Sequence, residues 1–114
     1  MLILNSEVTL TRLMNDAAFV GELYVTFLDT LDARIQRIAS AIDARDFEVL
    51  RKEAHSLKGA SGTINADALH ACALELEVAA RDENVAGMGE LKSRLLAIVA
   101  DTTDSINAWL AVHA

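Results

Sequence analysis

The stretch RKEAHSLKGASG, residues 51–62, decides whether this chain is built from long helices or shorter pieces. A glycine inside a helix costs about 1 kcal/mol relative to alanine, so Gly59 and Gly62 mark either a helix end or a place that needs the absence of a side chain. The apolar register answers for Gly59. Phe47, Leu50, Ala54, Leu57, Ser61 and Ile64 recur at three-and-four spacing, and a helix stopping at Gly59 would strand the last two. The spacing therefore predicts a helix that starts after Asp46, a good N-cap type, and runs straight through His55. Capping accounts for Gly62 better than for Gly59.

Working outward, three more stripes appear. Val20, Tyr24, Phe27, Leu31, Ile35, Ile38 and Ile42 line one face of a long helix beginning near Asp16, with Asp29, Asp32, Arg34 and Arg37 off that face. Leu69, Ala73, Leu76 and Ala80 predict a third helix capped by Asn65. Met88, Leu91, Leu95, Ile98, Thr102, Ile106 and Trp109 predict a fourth. The connections near 43–46, 62–65 and 81–87 are short, which favours antiparallel neighbours. The expected fold is all-α: an up-down four-helix bundle, with residues 6–14 adding a short N-terminal helix over one end. His113 is expected in a frayed tail.

The chain has 114 residues, no proline and five aromatics, a length that suits one domain over residues 1–114. Its formal charge of −7 argues against nucleic acid, whose binding needs a basic stripe. A local exception surrounds His55, where Arg51, Lys52 and Lys58 form a modest positive spot suited to an acidic pocket on another protein. Cys72 is the lone cysteine and occupies an apolar slot. No basic leader precedes an apolar run, and no segment is expected to approach the roughly 20 apolar residues needed to span a bilayer. A cytoplasmic location without membrane association is expected.

His55 lies one position after the core residue Ala54, at the edge of the buried stripe or outside it. Its neighbours on the same face are Arg51, Lys58, Gly59 and Gly62. Missing side chains at the two glycines would leave the imidazole open to another protein's surface. A neutral imidazole with one nitrogen exposed is a competent nucleophile toward an activated phosphoryl group, provided an acceptor holds the proton on the other. Lys58, one turn on, offers a mobile cation for the attached phosphoryl group. In an antiparallel hairpin, Glu75 and Glu77 come from the later part of the third helix, and either can supply the acceptor.

The run AHSLKGASGTINADAL, residues 54–69, resembles the signature of histidine-containing phosphotransfer (HPt) domains: the histidine, an apolar residue two on, Lys-Gly directly after it, small residues, then a turn and an Ala-x-x-Leu helix start. The likeness continues into LEVAAR, residues 76–81, and upstream into DFEVLRKEAH. Asn65 stands where many members have glycine, and asparagine tolerates the left-handed backbone of such a turn. The resemblance implies that His55 accepts phosphate from a receiver-domain phosphoaspartate and passes it to the aspartate of a response regulator, and that a hybrid sensor histidine kinase feeds it. It also implies that Lys58 assists the phosphoryl group, that Gly59 permits close approach, with Arg51 and Gly62 on the docking face, and that Glu77 contacts the histidine. Mg²⁺ is implied in the partner receiver, with no metal or cofactor of the chain's own.

Other chemistries fit less well. GASGT, residues 59–63, ends in Thr63 where a hydrolase elbow needs glycine, and no strand presents it. Asp67 and His70 have the i, i+3 spacing of di-iron bundles but no second pair. A kinase dimerisation hairpin commonly has an acidic residue after its histidine and a proline beyond; here Ser56 follows and proline is absent, so a monomer is expected. A pseudo-phosphotransfer adaptor that docks receivers or another enzyme without transfer stays as the alternative.

Overall fold

Residues 1–113 are described by a computed structural model. Helix α1 spans Ser6–Arg12, α2 Ala17–Ala44, α3 Phe47–Thr63, α4 Asp67–Arg81 and α5 Met88–His113, the last entered through a 3₁₀ turn at Val85–Gly87. At 1.5 Å per residue α2 is about 42 Å long, which matches the long dimension of a body measuring 42 × 21 × 20 Å.

Ion pairs and one aromatic pair join the helices at three of the seams. Arg37 meets Glu53 between α2 and α3, Arg94 meets Glu75 between α4 and α5, and Lys92 meets Asp43 while Trp109 meets Tyr24 between α5 and α2. The Tyr24 and Trp109 rings pack edge to face, their centroids 5.0 Å apart. The predicted stripes are the core. Val20, Tyr24, Ile38, Leu50, Leu57, Leu69, Leu76, Leu95 and Ile106 are fully buried, and Leu91 and Ile98 pack partly buried against them.

The turns hold without glycine. Arg45, Asn65 and Glu83 each take a left-handed backbone, with φ of 53°, 55° and 52°, reversing the chain between successive helices. Asn65 is therefore the left-handed turn residue that the resemblance implied, and not the cap of α4 that the helical register suggested. The α4 N-cap is Ala66, which has no side chain to bond the first amides. The N-terminal segment supplies what Ala66 lacks, because the Leu2 carbonyl accepts from Ala68 N at 3.0 Å.

That segment also explains α1. Asn5 N donates to the Asn65 carbonyl at 2.9 Å. The buried Thr9 hydroxyl lies 3.1 Å from the Ile64 carbonyl and 2.9 Å from Asn65 Oδ1, and Arg12 donates to the Thr63 carbonyl. The short helix clamps the α3–α4 turn. It stops at Arg12 instead of continuing to residue 14, because Met14 and Asn15 turn left-handed.

Helix α5 corrects two expectations. His113 is part of the helix: its ring stacks on Trp109 with centroids 4.0 Å apart, and its Nδ1 donates to the Trp109 carbonyl. The span Val85–His113 is also long and apolar enough, by length and composition, to cross a bilayer. In this fold it contributes Met88, Leu95, Thr102, Ile106 and Trp109 to the bundle core.

Thr9 generates a test of the clamp. Thr9→Val keeps the shape and removes the hydroxyl proton shared by the Ile64 carbonyl and Asn65 Oδ1, so unfolding free energy should fall by about 1–3 kcal/mol, measured as a lower urea midpoint at unchanged slope.

Candidate functional site

His55 sits in the middle of α3, with 70% of its side chain exposed. Across the α3–α4 seam, Glu77 presents both carboxylate oxygens to α3. Oε2 lies 2.5 Å from His55 Nδ1, and Oε1 accepts from Lys58 Nζ at 2.7 Å. Lys58 and Glu77 are largely sheltered, at 24% and 19% exposure, so the outward imidazole stands on an inward base.

The electrostatics fix the tautomer. The Lys58 ammonium, donating to Glu77, does most to hold the Glu77 carboxyl below the usual carboxylate range; burial pushes the other way, and the His55 N–H adds a lesser downward pull. An ionised carboxylate only accepts hydrogen bonds, so Nδ1 carries the proton. In the neutral ring this leaves the lone pair on Nε2, which has no protein partner among the described residues. The ring is thereby an oriented nucleophile with one free nitrogen.

The structure separates residues that looked equivalent in sequence. Of the two glutamates, Glu77 meets the imidazole while Glu75 turns to Arg94 on α5 at 2.6 Å. Of the two glycines, Gly59 is exposed, and a Cβ built there would meet nothing within 4 Å. Gly62 does not share that open face: a Cβ there would stand 3.2 Å from His70 Nδ1. It lies within α3, whose C-cap is Ile64, so it is neither the predicted cap nor an open docking position. Its missing side chain admits His70, whose Nδ1 donates to the Lys58 carbonyl at 2.9 Å.

Arg51, one turn before His55, is exposed. Arg34, read from sequence only as part of the solvated face of α2, reaches over to Ser56, with Nη1 2.5 Å from the hydroxyl. Only the packing of α2 on α3 reveals that contact. The GASGT segment is continuous helix to Thr63 and forms no strand-to-helix elbow. His70, half of the i, i+3 pair with Asp67, is engaged with the Lys58 backbone, and among the described residues no group of three or more His, Cys, Asp or Glu side chains converges. Cys72 is buried in the core, where burial pushes its thiol up.

A four-helix bundle whose helix α3 presents an exposed histidine, held by a carboxylate and flanked by a lysine, is the architecture of a phosphocarrier module. The Hpt domain family matches residues 22–105, and the chain belongs to that family. Comparison with curated proteins and with solved structures gives no match. Family membership assigns a histidine phosphotransfer role in phosphorelays, in which Hpt domains work with the receiver domains of two-component systems and are not themselves catalytic kinase domains.

The shared carboxylate predicts a titration. Lys58→Met removes the largest influence holding Glu77 down, so the Glu77 carboxyl should titrate at higher pH than in the wild type, followed by its side-chain NMR shifts. Because the folded-state value is depressed in the wild type, the stability Glu77 contributes is present above its unfolded-state value and lost as pH falls through the folded one. Lys58→Met should shrink that acid-side loss.

Proposed function

We propose that this chain is a phosphorelay carrier in which His55 Nε2 accepts a phosphoryl group from the phosphoaspartate of a receiver domain and delivers it to the aspartate of a response regulator. In the accepting step the Nε2 lone pair forms the N–P bond while the P–O bond to the donor aspartate breaks and that carboxylate leaves with the electron pair. Lys58 turns from Glu77 to the phosphoryl oxygens and balances their charge. Gly59 leaves room for the receiver's surface, with Arg51 beside it on the docking side. The Mg²⁺ of the reaction belongs to the receiver and the chain carries no metal or cofactor. Its upstream donor is the receiver of a hybrid sensor histidine kinase, and it works as a cytoplasmic monomer without ATP.

The observation that carries this reading is the carboxylate of Glu77 bridging His55 Nδ1 and Lys58 Nζ. One group sets the nucleophile's tautomer and parks the cation that the incoming phosphoryl group will need.

The test is incubation with a phosphorylated receiver and Mg²⁺, followed by intact mass. The chain should gain one phosphoryl group that is acid-labile and alkali-stable, and His55→Gln should lose it at unchanged helical content. Label persisting in His55→Gln would locate the phosphosite elsewhere. Receiver binding without transfer would favour the adaptor reading.

The glycines give a second expectation. Gly59→Leu should retain or slightly gain stability, since leucine is the better helix former by up to about 1 kcal/mol, yet weaken receiver binding at least tenfold in a titration. Gly62→Leu should instead lower the thermal midpoint, because its side chain collides with His70. Receiver affinity unchanged in Gly59→Leu would count against the open-face role.

A further inference from the structure

We propose that Glu77 does more than orient the ring: its carboxylate keeps Nδ1 of phosphorylated His55 protonated, and so holds the phosphohistidine in the form from which phosphate leaves readily. The inference rests on the phosphotransfer reading above and concerns the fate of the group after it arrives.

The reasoning follows the electrons. When neutral imidazole attacks through Nε2, Nδ1 keeps its hydrogen, so the phosphorylated ring is a cation. In the next transfer the Nε2–P bond breaks and its electron pair returns to Nε2. From the cationic ring the departing group is neutral imidazole. If Nδ1 has lost its proton first, the departing group is an imidazolate anion, which is far less stable. The proton on Nδ1 therefore decides whether the phosphohistidine is a donor or a dead end.

The surroundings of that proton are on three helices. Arg51 and Lys58 flank His55 on α3, Arg34 of α2 is bonded to the adjacent Ser56, and α4 brings Glu77 together with Arg81, whose charge interacts with Glu77. The cations all disfavour a positive ring. The phosphoryl oxygens favour it through the ring, and Glu77 favours it in direct contact with the proton itself, 2.5 Å from Nδ1. An opposite charge this close moves a titration by about 1–3 pH units toward the charged form. In the resting protein Lys58 draws on the same carboxylate at 2.7 Å. Its move to the phosphoryl oxygens frees Oε1 at the moment the ring becomes charged, so Glu77 acts on the ring most strongly when the proton matters most.

Orientation and protonation come apart in Glu77→Gln, whose amide oxygen still accepts from Nδ1 but carries no charge. The experiment loads wild type and variant with phosphoramidate, a small phosphodonor that needs no receiver, and follows phosphohistidine loss by intact mass from pH 5 to pH 9. Loss accelerates as the ring gains its proton, so the wild-type midpoint should lie about one pH unit above that of Glu77→Gln, and at pH above both midpoints the variant should lose phosphate about tenfold more slowly. Transfer to an unphosphorylated receiver should slow in parallel. Lys58→Met, which removes a cation and leaves the carboxylate, should not lower the midpoint. Identical midpoints in wild type and Glu77→Gln, both labelled on His55, would overturn the inference alone, as would an equal downward shift in Lys58→Met. Failure of wild type to exchange phosphate with any receiver would overturn the relay reading and this inference with it.

Discussion

The register in which α3 and α4 pack as an antiparallel hairpin is the constraint on which the histidine face depends. Two cross-contacts brace it: His70 against Gly62 and the Lys58 carbonyl, and Glu77 against His55 and Lys58. Residues 55 to 62 on one helix and 70 to 77 on the other are equal steps, each about 10.5 Å along the axis. The contacts therefore agree only in one alignment. A slip by one residue would turn Glu77 by about 100° about its helix and take the carboxylate off the imidazole.

What holds that alignment lies outside the site. The hairpin closes through Asn65, whose left-handed backbone is one that asparagine adopts with less penalty than most side chains. The turn is then pinned by residues far away in sequence: Leu2 and Asn5 through their backbones, Thr9 and Arg12 through their side chains. Helix α1 touches none of the reacting groups, yet it fixes the end of the hairpin from which their register is counted. The α4 N-terminus lacks a capping side chain of its own, so the clamp also meets a need of the helix that carries Glu77.

Much of this was legible in the sequence, for physical reasons that also explain the rest. The four stripes were readable because a single core forces apolar residues to one face at helical spacing, and the HPt-like run around His55 gave the family. The resemblance pointed to Glu77, whereas spacing alone left Glu75 equally eligible. Two residues apart on a helix means about 200° of rotation, and only the packing of α5, which takes Glu75 with Arg94, tells which glutamate faces which neighbour. Gly62 was misread because its reason sits on another helix, in the ring of His70. Arg34 and the α1 clamp were invisible for the same cause: contacts between residues 22 or 55 positions apart leave no periodic trace. Asn65 looked like a cap because caps and left-handed turns favour the same residue type.

The energetics of the site suit a group that must leave as easily as it arrives. Ion pairs at a solvent boundary contribute little to folding, about 0–1 kcal/mol each, so the bundle does not depend on Lys58 staying with Glu77. Stability comes instead from the buried stripe one position away, at Ala54 and Leu57, which anchors the same helical turns whatever the side chains above them do. In the proposed relay, Lys58 would exchange a carboxylate for a phosphoryl oxygen without unpacking the core, and return once the phosphate had gone. An imidazole on a rigid helix, a cation on a flexible stem and a carboxylate shared between them divide the work that the proposed relay requires: the helix fixes the imidazole's position whatever the charges around it do.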